Sequence, residues 1–353
     1  MKTADLLVIE LSGTPRERGR IYGEIAKSLI ADMLEAWRAD LGNYGKNSVD
    51  AKANDADSYL DQFLSQTQYL SAIKRWAPDL LEEVRGIAEG AGQSFENIFG
   101  LQLMDEEWVF GLRRNLDRPT EKCTAFGIPN QRNGISYSGQ NIDVPSWAEG
   151  KQVLLRVMPT EKTPEALIFS LAGLLVGNGL SASGVGITCN TLSQLNYATD
   201  GLPVQFILRS VLEKQTIDEA ENFIRSVRHA SGQNYIVSAA GDIRCFECCG
   251  TSVVRYAPDD YRGRIFHSNH PLVNTDHSEN FPESREKKNR NSSARLKSIS
   301  DRLGDTSRLM TIEDIKAALS AHDDPDNPVS RRINPDNIGN SIGYTAGASI
   351  YEL

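Results

Sequence analysis

Two textures divide the chain. Up to about residue 110 apolar positions recur at helical spacing, and beyond residue 123 they come in short runs separated by polar turns. Leu6 to Glu10 reads as a short strand. Thr14-Pro15 then opens a long helix in which Ile21, Ile25, Leu29, Met33 and Trp37 recur every four residues and are expected to share one face. A polar linker, Lys46 to Asp55, leads to helical stretches at Tyr59 to Trp76, at Pro78 to Glu89 with a stop at Gly90, and at Phe95 to Phe110. Gly111 to Lys122, charged and containing Pro119, reads as an exposed loop. Strand-like runs follow at Thr124 to Ile128, Ile135 to Gln140, Val153 to Val157, Ala166 to Leu171 and Gly186 to Asn190. Helical patterns at Val204 to Lys214 and Ile217 to Arg228 interrupt them, and strands resume at Tyr235 to Ser238, Ile243 to Glu247, Ser252 to Tyr256 and Arg264 to Ser268. The polar stretch Asn274 to Asn291 reads as a surface loop entering a helix near Ser293 to Leu303. A helix at Ile312 to His322 and a strand at Ala348 to Leu353 close the chain. This order predicts an α+β protein whose sheets are covered by helices.

Where the texture changes stands a thiol. Cys123 begins an apolar run, Asn130 to Gly134 supplies a turn, and Ile135 to Asp143 returns, so a hairpin would bring Asp143 back beside Cys123. A buried cysteine is more often a small hydrophobe than a catalyst. The place of Cys123 at the junction of a charged loop and a strand makes it the candidate nucleophile, a role in which a thiolate needs a neighbouring base or positive charge.

Composition narrows the field. With 353 residues the chain can bury a large core, and 38 basic against 47 acidic side chains give a net charge of -9, which argues against a nucleic-acid partner. Five cysteines, odd in number and sparse, do not make a disulfide framework and favour a reducing compartment. The N-terminal apolar run is short and broken by Glu10, and no stretch approaches the length of a membrane span, so a cytoplasmic protein without membrane contact is expected.

Other candidates read blandly. Cys245-Phe-Glu-Cys248-Cys249 contains a C-x-x-C without a second pair at ligand spacing, so a structural role is favoured, and no metal or cofactor is called for. His267-Ser268-Asn269-His270 lacks zincin geometry. It keeps open a dyad of Cys123 with His267 or His270, and Asn269 carries an amide able to stabilise an oxyanion. Gly177 and Gly179, within the glycine-rich Gly173 to Gly186, read as tight turns rather than a nucleotide fingerprint. Arg331 and Arg332 are either solvated charges or a means of fixing a carboxylate or thiolate.

Taken together, Cys123-Thr124, then Gly139-Gln140-Asn141-Ile142-Asp143, then Gly184 to Asn190, then His267-Ser268-Asn269-His270 resemble the isopenicillin N acyltransferase family of self-processing, cysteine N-terminal-nucleophile (Ntn) hydrolases. Gly13 to Gly19 is similar to that family's first helix entry. The resemblance implies a four-layer αββα sandwich and cleavage of the Lys122–Cys123 bond, giving an α chain of 1–122 and a catalytic β chain of 123–353 within one globular unit. It assigns Cys123 as nucleophile, its own α-amino group as base, Asn269 as oxyanion donor, Asp143 as holder of the amine, and Arg332, with Arg331 as the alternative, as the C-terminal arginine. The expected reaction is cleavage of a linear amide through an S-acyl-enzyme, with hydrolysis of a small N-acyl amide preferred over transfer to an amine. Homo-oligomerisation is left open. The rival readings are the unprocessed Cys/His hydrolase and a binding protein that keeps the fold without turnover.

Overall fold

The opening helical pattern folds as two helices. In the computed structural model, which describes residues 6–46, 55–113, 123–260, 262–279, 289–333 and 343–353, β1 (Leu7–Leu11) leads to α1 (Pro15–Ile25) and α2 (Lys27–Lys46). The linker residues 47–54, the segment 114–122 that ends at Lys122, and 280–288 of the polar stretch lie outside the described residues. A capping box starts α1: Glu17 N–H donates to Thr14 Oγ1, and Thr14 N–H donates to the Glu17 carboxylate. The buried face is Tyr22, Ala26, Ile30, Met33, Trp37 and Leu41, whereas Ile25 is exposed. A strict spacing of four drifts by roughly 40° per step on a helix of 3.6 residues per turn. The expected series from Ile21 to Trp37 therefore leaves its face, while a mixture of threes and fours keeps to one.

Tyr59 to Trp76 also divides, into α3 (Ala56–Ser65) and α4 (Tyr69–Trp76). The helix α5 (Pro78–Ala91) runs through the expected stop at Gly90 and ends at Gly92, which is left-handed with φ 66. Gly90 serves a close crossing instead. A Cβ there would lie 2.1 Å from Arg20 O, and one at Gly19 would lie 2.0 Å from Glu83 O. Between these helices the buried Arg18 pairs with Glu83 at 2.9 Å, and Arg209 of α8 (Val204–Val211) reaches the same carboxylate at 3.7 Å. The helices α6 (Phe95–Gln102), α7 (Met104–Arg113) and α9 (Ile217–Ser226) complete this side of the molecule.

Beyond Cys123 the strands are β2 (Thr124–Ile128), β3 (Tyr137–Pro145), β4 (Gln152–Val157), β5 (Ala166–Leu171), β6 (Asn178–Ser181), β7 (Gly186–Thr191), β8 (Gln233–Ala239), β9 (Asp242–Cys248), β10 (Val253–Tyr256), β11 (Ile265–His267) and β12 (Gly343–Glu352), with α10 (Asn289–Leu303) and α11 (Ile312–Leu319) before the last. They form an eight-stranded sheet in the order β1-β4-β5-β6-β7-β8-β9-β10 and a four-stranded sheet in the order β11-β2-β3-β12. The strand β6 corrects the tight-turn reading of Gly179, while Gly177 stays in the bend just before it. These two lie so close to β5 that a Cβ would meet Phe169 O at 2.7 Å and Leu167 O at 2.8 Å, while Gly173 and Gly184, with φ 90 and 83, make the turns.

Alternation along β2 sets the layers. Ala125 packs with Ile236, Ile243 and Cys245 of the large sheet, and Phe126 packs outward with Ile299, Leu303, Ile315 and Leu319 of α10 and α11. The far face of the large sheet buries Val153, Leu155 and Ile168 in one core with Ile30, Trp37 and Phe206 of the helices. Helices, sheet, sheet and helices give the αββα sandwich that the resemblance implied. Among the described residues no helix is long and apolar enough to cross a membrane.

Candidate active site

The hairpin of β2 and β3 pairs Thr124 with Asn141 and Ala125 with Gln140. That register carries Cys123, one residue earlier, to the far end of β3, where its buried Sγ lies 3.9 Å from Asp143 O. The pleat then gives each residue of Gly139-Gln140-Asn141-Ile142-Asp143 a separate direction. Gln140 faces the large sheet and accepts from Cys189 N–H at 2.8 Å. Asn141 faces the opposite side, its amide donating to Leu319 O at 2.7 Å and Val329 O at 3.1 Å. Asp143 accepts from Thr345 Oγ1 of β12 at 2.6 Å, and a Cβ on Gly139 would come 2.0 Å from Ser349 O of that same strand.

Asn269 follows β11 and is held at several points. Its backbone N–H donates to Ser292 Oγ at 2.8 Å, its Nδ2 donates to Thr191 O at 3.1 Å, and its Oδ1 accepts from Arg295 Nη2 at 3.0 Å. An amide nitrogen carries two hydrogens, so one remains for a ligand. The loop after it is tied down by Glu247, whose carboxylate accepts the backbone N–H groups of Leu272, Val273 and Asn274 and the ring of His267 at 2.9 Å. Burial opposes the charge on Glu247, and those donors outweigh it, holding its pKa below the ordinary value.

Arg295 is the residue that sequence reasoning missed. It projects from α10 into the interior, 1% exposed, and donates to Cys123 O at 2.5 Å, Thr124 Oγ1 at 2.8 Å, Asn269 Oδ1 at 3.0 Å and Asn291 Oδ1 at 2.9 Å. Burial pulls its pKa down to about 10, while the nearby Asp143 and Cys123 hold it up. Its signal was present: Ser292, Arg295, Ile299 and Leu303 fall on one buried helical face, and an arginine in such a series marks a buried polar partner.

Of the two C-terminal arginines, Arg332 is exposed and Arg331 is half-buried. Burial lowers the pKa of Arg331 and the field of Asp143 raises it. Its N–H donates to Thr345 Oγ1 at 2.8 Å, the hydroxyl that binds Asp143. Of the two, Arg331 is therefore the one that lies beside the Asp143 partner.

The remaining candidates separate. Both ring nitrogens of His267 are engaged, with Glu247 Oε1 at 2.9 Å and Ser268 O at 2.8 Å. His270 Nδ1 meets Ser292 Oγ at 2.7 Å, and burial pulls its pKa down to about 4. Neither arrangement favours a histidine dyad with Cys123. In the C-x-x-C run, Cys245 Sγ donates to Asn234 Oδ1 at 2.8 Å, and burial pushes the Cys245 and Cys248 thiols well above their ordinary range. The residue between them, Glu247, matters more to the site than either thiol.

Cys123 and Asp143 open on a cavity of about 90 Å³ between the sheets and the helical layer, walled by Ile142, Phe169, Leu174, Val176 and Leu208, with Asp105, Gln140, Ser170, Cys189, Thr191 and Gln205 among its polar positions. A thiol whose carbonyl is held by a buried guanidinium, beside a carboxylate and an oriented amide, has the elements of acyl transfer.

The layers are those of an Ntn-type hydrolase fold. The chain belongs to the acyl-coenzyme A:6-aminopenicillanic acid acyl-transferase family, whose model matches residues 130–344. That span takes in Asp143, Asn269, Arg295 and Arg331 and begins just after Cys123. Among solved structures the chain is similar to a variant of conjugated bile acid hydrolase from Clostridium perfringens, at 12% identity over 65% of this chain and 85% of that one, with a TM-score of 0.45. It is similar also to a Caenorhabditis elegans N-acylethanolamine-hydrolyzing acid amidase ortholog, at 14% identity over 57% of this chain and 87% of that one, with a TM-score of 0.43. Penicillin V acylase from Agrobacterium tumefaciens is a third, at 14% identity over 65% and 78%, with a TM-score of 0.34. No curated protein sequence matches the chain.

Proposed function

We propose that the protein is a self-processing cysteine amidohydrolase that cleaves small linear N-acyl amides through an S-acyl-enzyme on Cys123. The observation that carries this reading is Arg295, which binds the Cys123 carbonyl and the Asn269 amide oxygen at once and so ties the proposed nucleophile to the proposed oxyanion donor.

Maturation begins when the Cys123 thiol attacks the Lys122 carbonyl carbon. The C–N bond breaks, its nitrogen becomes the α-amino group of Cys123, and water hydrolyses the thioester to a Lys122 carboxylate and the free thiol. Residues 1–122 and 123–353 then form the α and β chains of one unit. Retention of the α chain is supported by β1, which pairs in parallel with β4, and by the core that α1 to α7 share with the large sheet.

In turnover the α-amino group, of ordinary pKa about 7.7–8.0, takes the thiol proton, and the thiolate attacks the amide carbonyl. The oxyanion receives the second Nδ2 hydrogen of Asn269. The ammonium returns its proton to the leaving nitrogen as the C–N bond breaks, and water then releases the acyl group from sulfur as a carboxylic acid. Asp143, held by Thr345, stabilises the ammonium. Arg295 is a positioning residue whose buried charge also favours the thiolate.

The test is an intact mass and N-terminal reading of the purified protein. The expected result is two chains, the larger beginning at Cys123, with Cys123→Ala remaining a single chain devoid of turnover. A single chain that turns over amides at full rate would overturn self-processing, and a protein whose Cys123 no amide acylates would favour the binding-protein reading.

A further inference from the structure

One buried carboxylate stands apart from the reacting groups and closes the turn that carries Asn269. Glu247, near the end of β9, is wholly buried where β9 of the large sheet faces β11 of the small one. Carboxylates are almost never buried so fully unless they are paired. Here the two oxygens share the donors evenly. Oε1 accepts from His267 Nε2 at 2.9 Å and Leu272 N–H at 2.5 Å, and Oε2 accepts from Val273 N–H at 3.0 Å and Asn274 N–H at 2.6 Å. Successive backbone N–H groups turned onto one anion form a nest. Oε1 alone therefore joins residues 267 and 272, the two ends of the turn Ser268-Asn269-His270-Pro271, and Asn274 Nδ2 returns to the Glu247 carbonyl at 3.1 Å.

Apolar packing contributes little to this turn. Asn269 to Leu272 are only half-buried, and Val273 is exposed. Ser292 Oγ of α10 reaches Ser268, Asn269 and His270, while Gln194 Nε2 donates to Asn269 O at 3.1 Å. Beyond His270 the chain is held by the Glu247 carboxylate.

We propose that Glu247 is a positioning residue that sets the direction of the Asn269 amide, and with it the strength of oxyanion stabilisation, by clasping both ends of the turn. The proposal rests on reading Cys123 as the nucleophile and Asn269 as the oxyanion donor. Glu247→Gln keeps the shape of the side chain but exchanges one oxygen for an NH2 group. In either orientation that NH2 meets a backbone N–H from which it cannot accept. The turn then relaxes, and a displacement of about 1 Å in an aligned group can cost about a hundredfold in rate.

The experiment is a double-mutant cycle on the mature protein, with Glu247→Gln, Asn269→Ala and both together. It reads the single-turnover rate at which butyryl p-nitroanilide acylates Cys123 and releases p-nitroaniline. Glu247→Gln alone should lower that rate about tenfold to a hundredfold. In the Asn269→Ala background it should lower it by no more than about twofold, because the amide that Glu247 aims is gone. Alkylation of Cys123 by iodoacetamide, which forms no oxyanion, should keep its wild-type rate in Glu247→Gln. A loss that repeats in full without Asn269, or alkylation that falls in parallel with acylation, makes Glu247 merely structural and overturns the proposal. Wild-type acylation in Glu247→Gln overturns it as well. If Glu247→Gln does not fold, Glu247→Asp, whose shorter arm cannot span both ends of the turn, takes its place in the cycle. Variants that stay uncleaved are compared by their rate of self-cleavage, in which thiol attack also forms an oxyanion. The two levels separate on the wild type. Cys123 that iodoacetamide alkylates but that acetyl, butyryl and octanoyl p-nitroanilides all leave unacylated sinks the amidohydrolase itself, whereas an acylated wild type with an additive cycle sinks only the role of Glu247.

Discussion

Two buried arginines show how differently one chain uses the same side chain. Arg209, in the helical layer, meets Glu83 at 3.7 Å and Glu213 at 3.3 Å, and Arg18 meets Glu83 from the other side at 2.9 Å. Charge there is cancelled where it is buried, and the network clamps α1, α5 and α8 together. Arg295, equally buried, donates to a backbone carbonyl, a hydroxyl and two amide oxygens, none of them a carboxylate. Its charge is answered only at longer range by Asp143 and the Cys123 sulfur. A neutralised arginine stabilises a packing arrangement. One surrounded by neutral acceptors keeps a positive field, here where the proposed reaction would form a thiolate and an oxyanion.

The contrast is most exposed at Glu83. Glu83→Ala leaves Arg18 and Arg209 buried without the carboxylate between them and should lose about 3–5 kcal/mol of stability. Denaturant unfolding measures this, and turnover by the fraction that stays folded should change by only a few-fold. A loss below about 1 kcal/mol would place the network among ordinary surface pairs.

On the other side, Asn269→Ala should lower kcat about a hundred- to thousandfold, or roughly 2.7–4 kcal/mol of barrier, with a smaller change in unfolding midpoint. Steady-state kinetics on any amide that acylates Cys123 checks it. An effect confined to KM would remove Asn269 from transition-state stabilisation.

Arg295 decides whether the two arginines differ in kind. Arg295→Lys keeps the charge and loses the fork, and should lower kcat by about tenfold to a hundredfold. Arg295→Met should in addition move the thiol's limb of the kcat/KM pH profile upward, because the cation favouring the thiolate is gone. If both variants only lower Tm and leave the profile in place, Arg295 is structural like Arg209.

The smallest effect concerns Glu106 behind the cavity. Its pKa is raised to about 8, so between about 4.5 and 8 the folded protein holds a proton that the unfolded chain has released. This contribution is complete below the unfolded value and is lost as pH rises through 8, with a slope of up to about 1.4 kcal/mol per pH unit. Glu106→Gln should flatten that slope in stability measured from pH 5 to 8. An unchanged slope would assign the proton elsewhere.

Much of this was legible along the chain. The hairpin that returns Asp143 to Cys123 follows from two apolar runs and a turn, and its register agrees with that expectation. Most strands and helices lie where their patterns predict, although the long pattern opened by Thr14-Pro15 and those at Tyr59 to Trp76 and Phe95 to Phe110 each fold as two helices. Two other departures have local causes: β6 sits in a glycine-rich stretch that reads as turn because its residues are small for contact with β5, and Gly90 reads as a helix stop because a close helix crossing and a C-cap ask for the same residue. Which of Arg331 and Arg332 turns inward is a matter of facing that the sequence does not carry.

By itself, then, the sequence determined the periodicities, the place of the thiol, and the order of motifs that identifies the family. These depend on neighbouring residues, or on spacing that survives without a structure. The tertiary structure decided which charges meet. Arg295 lies 172 positions from Cys123 and Asp105 lies 128 from Gln233, and each reaches its partner only because the two sheets stack and the helices close over them. A long-range contact of that kind leaves no period in the chain. Its trace is a single polar residue on an otherwise buried face, and the fold is needed to name the partner.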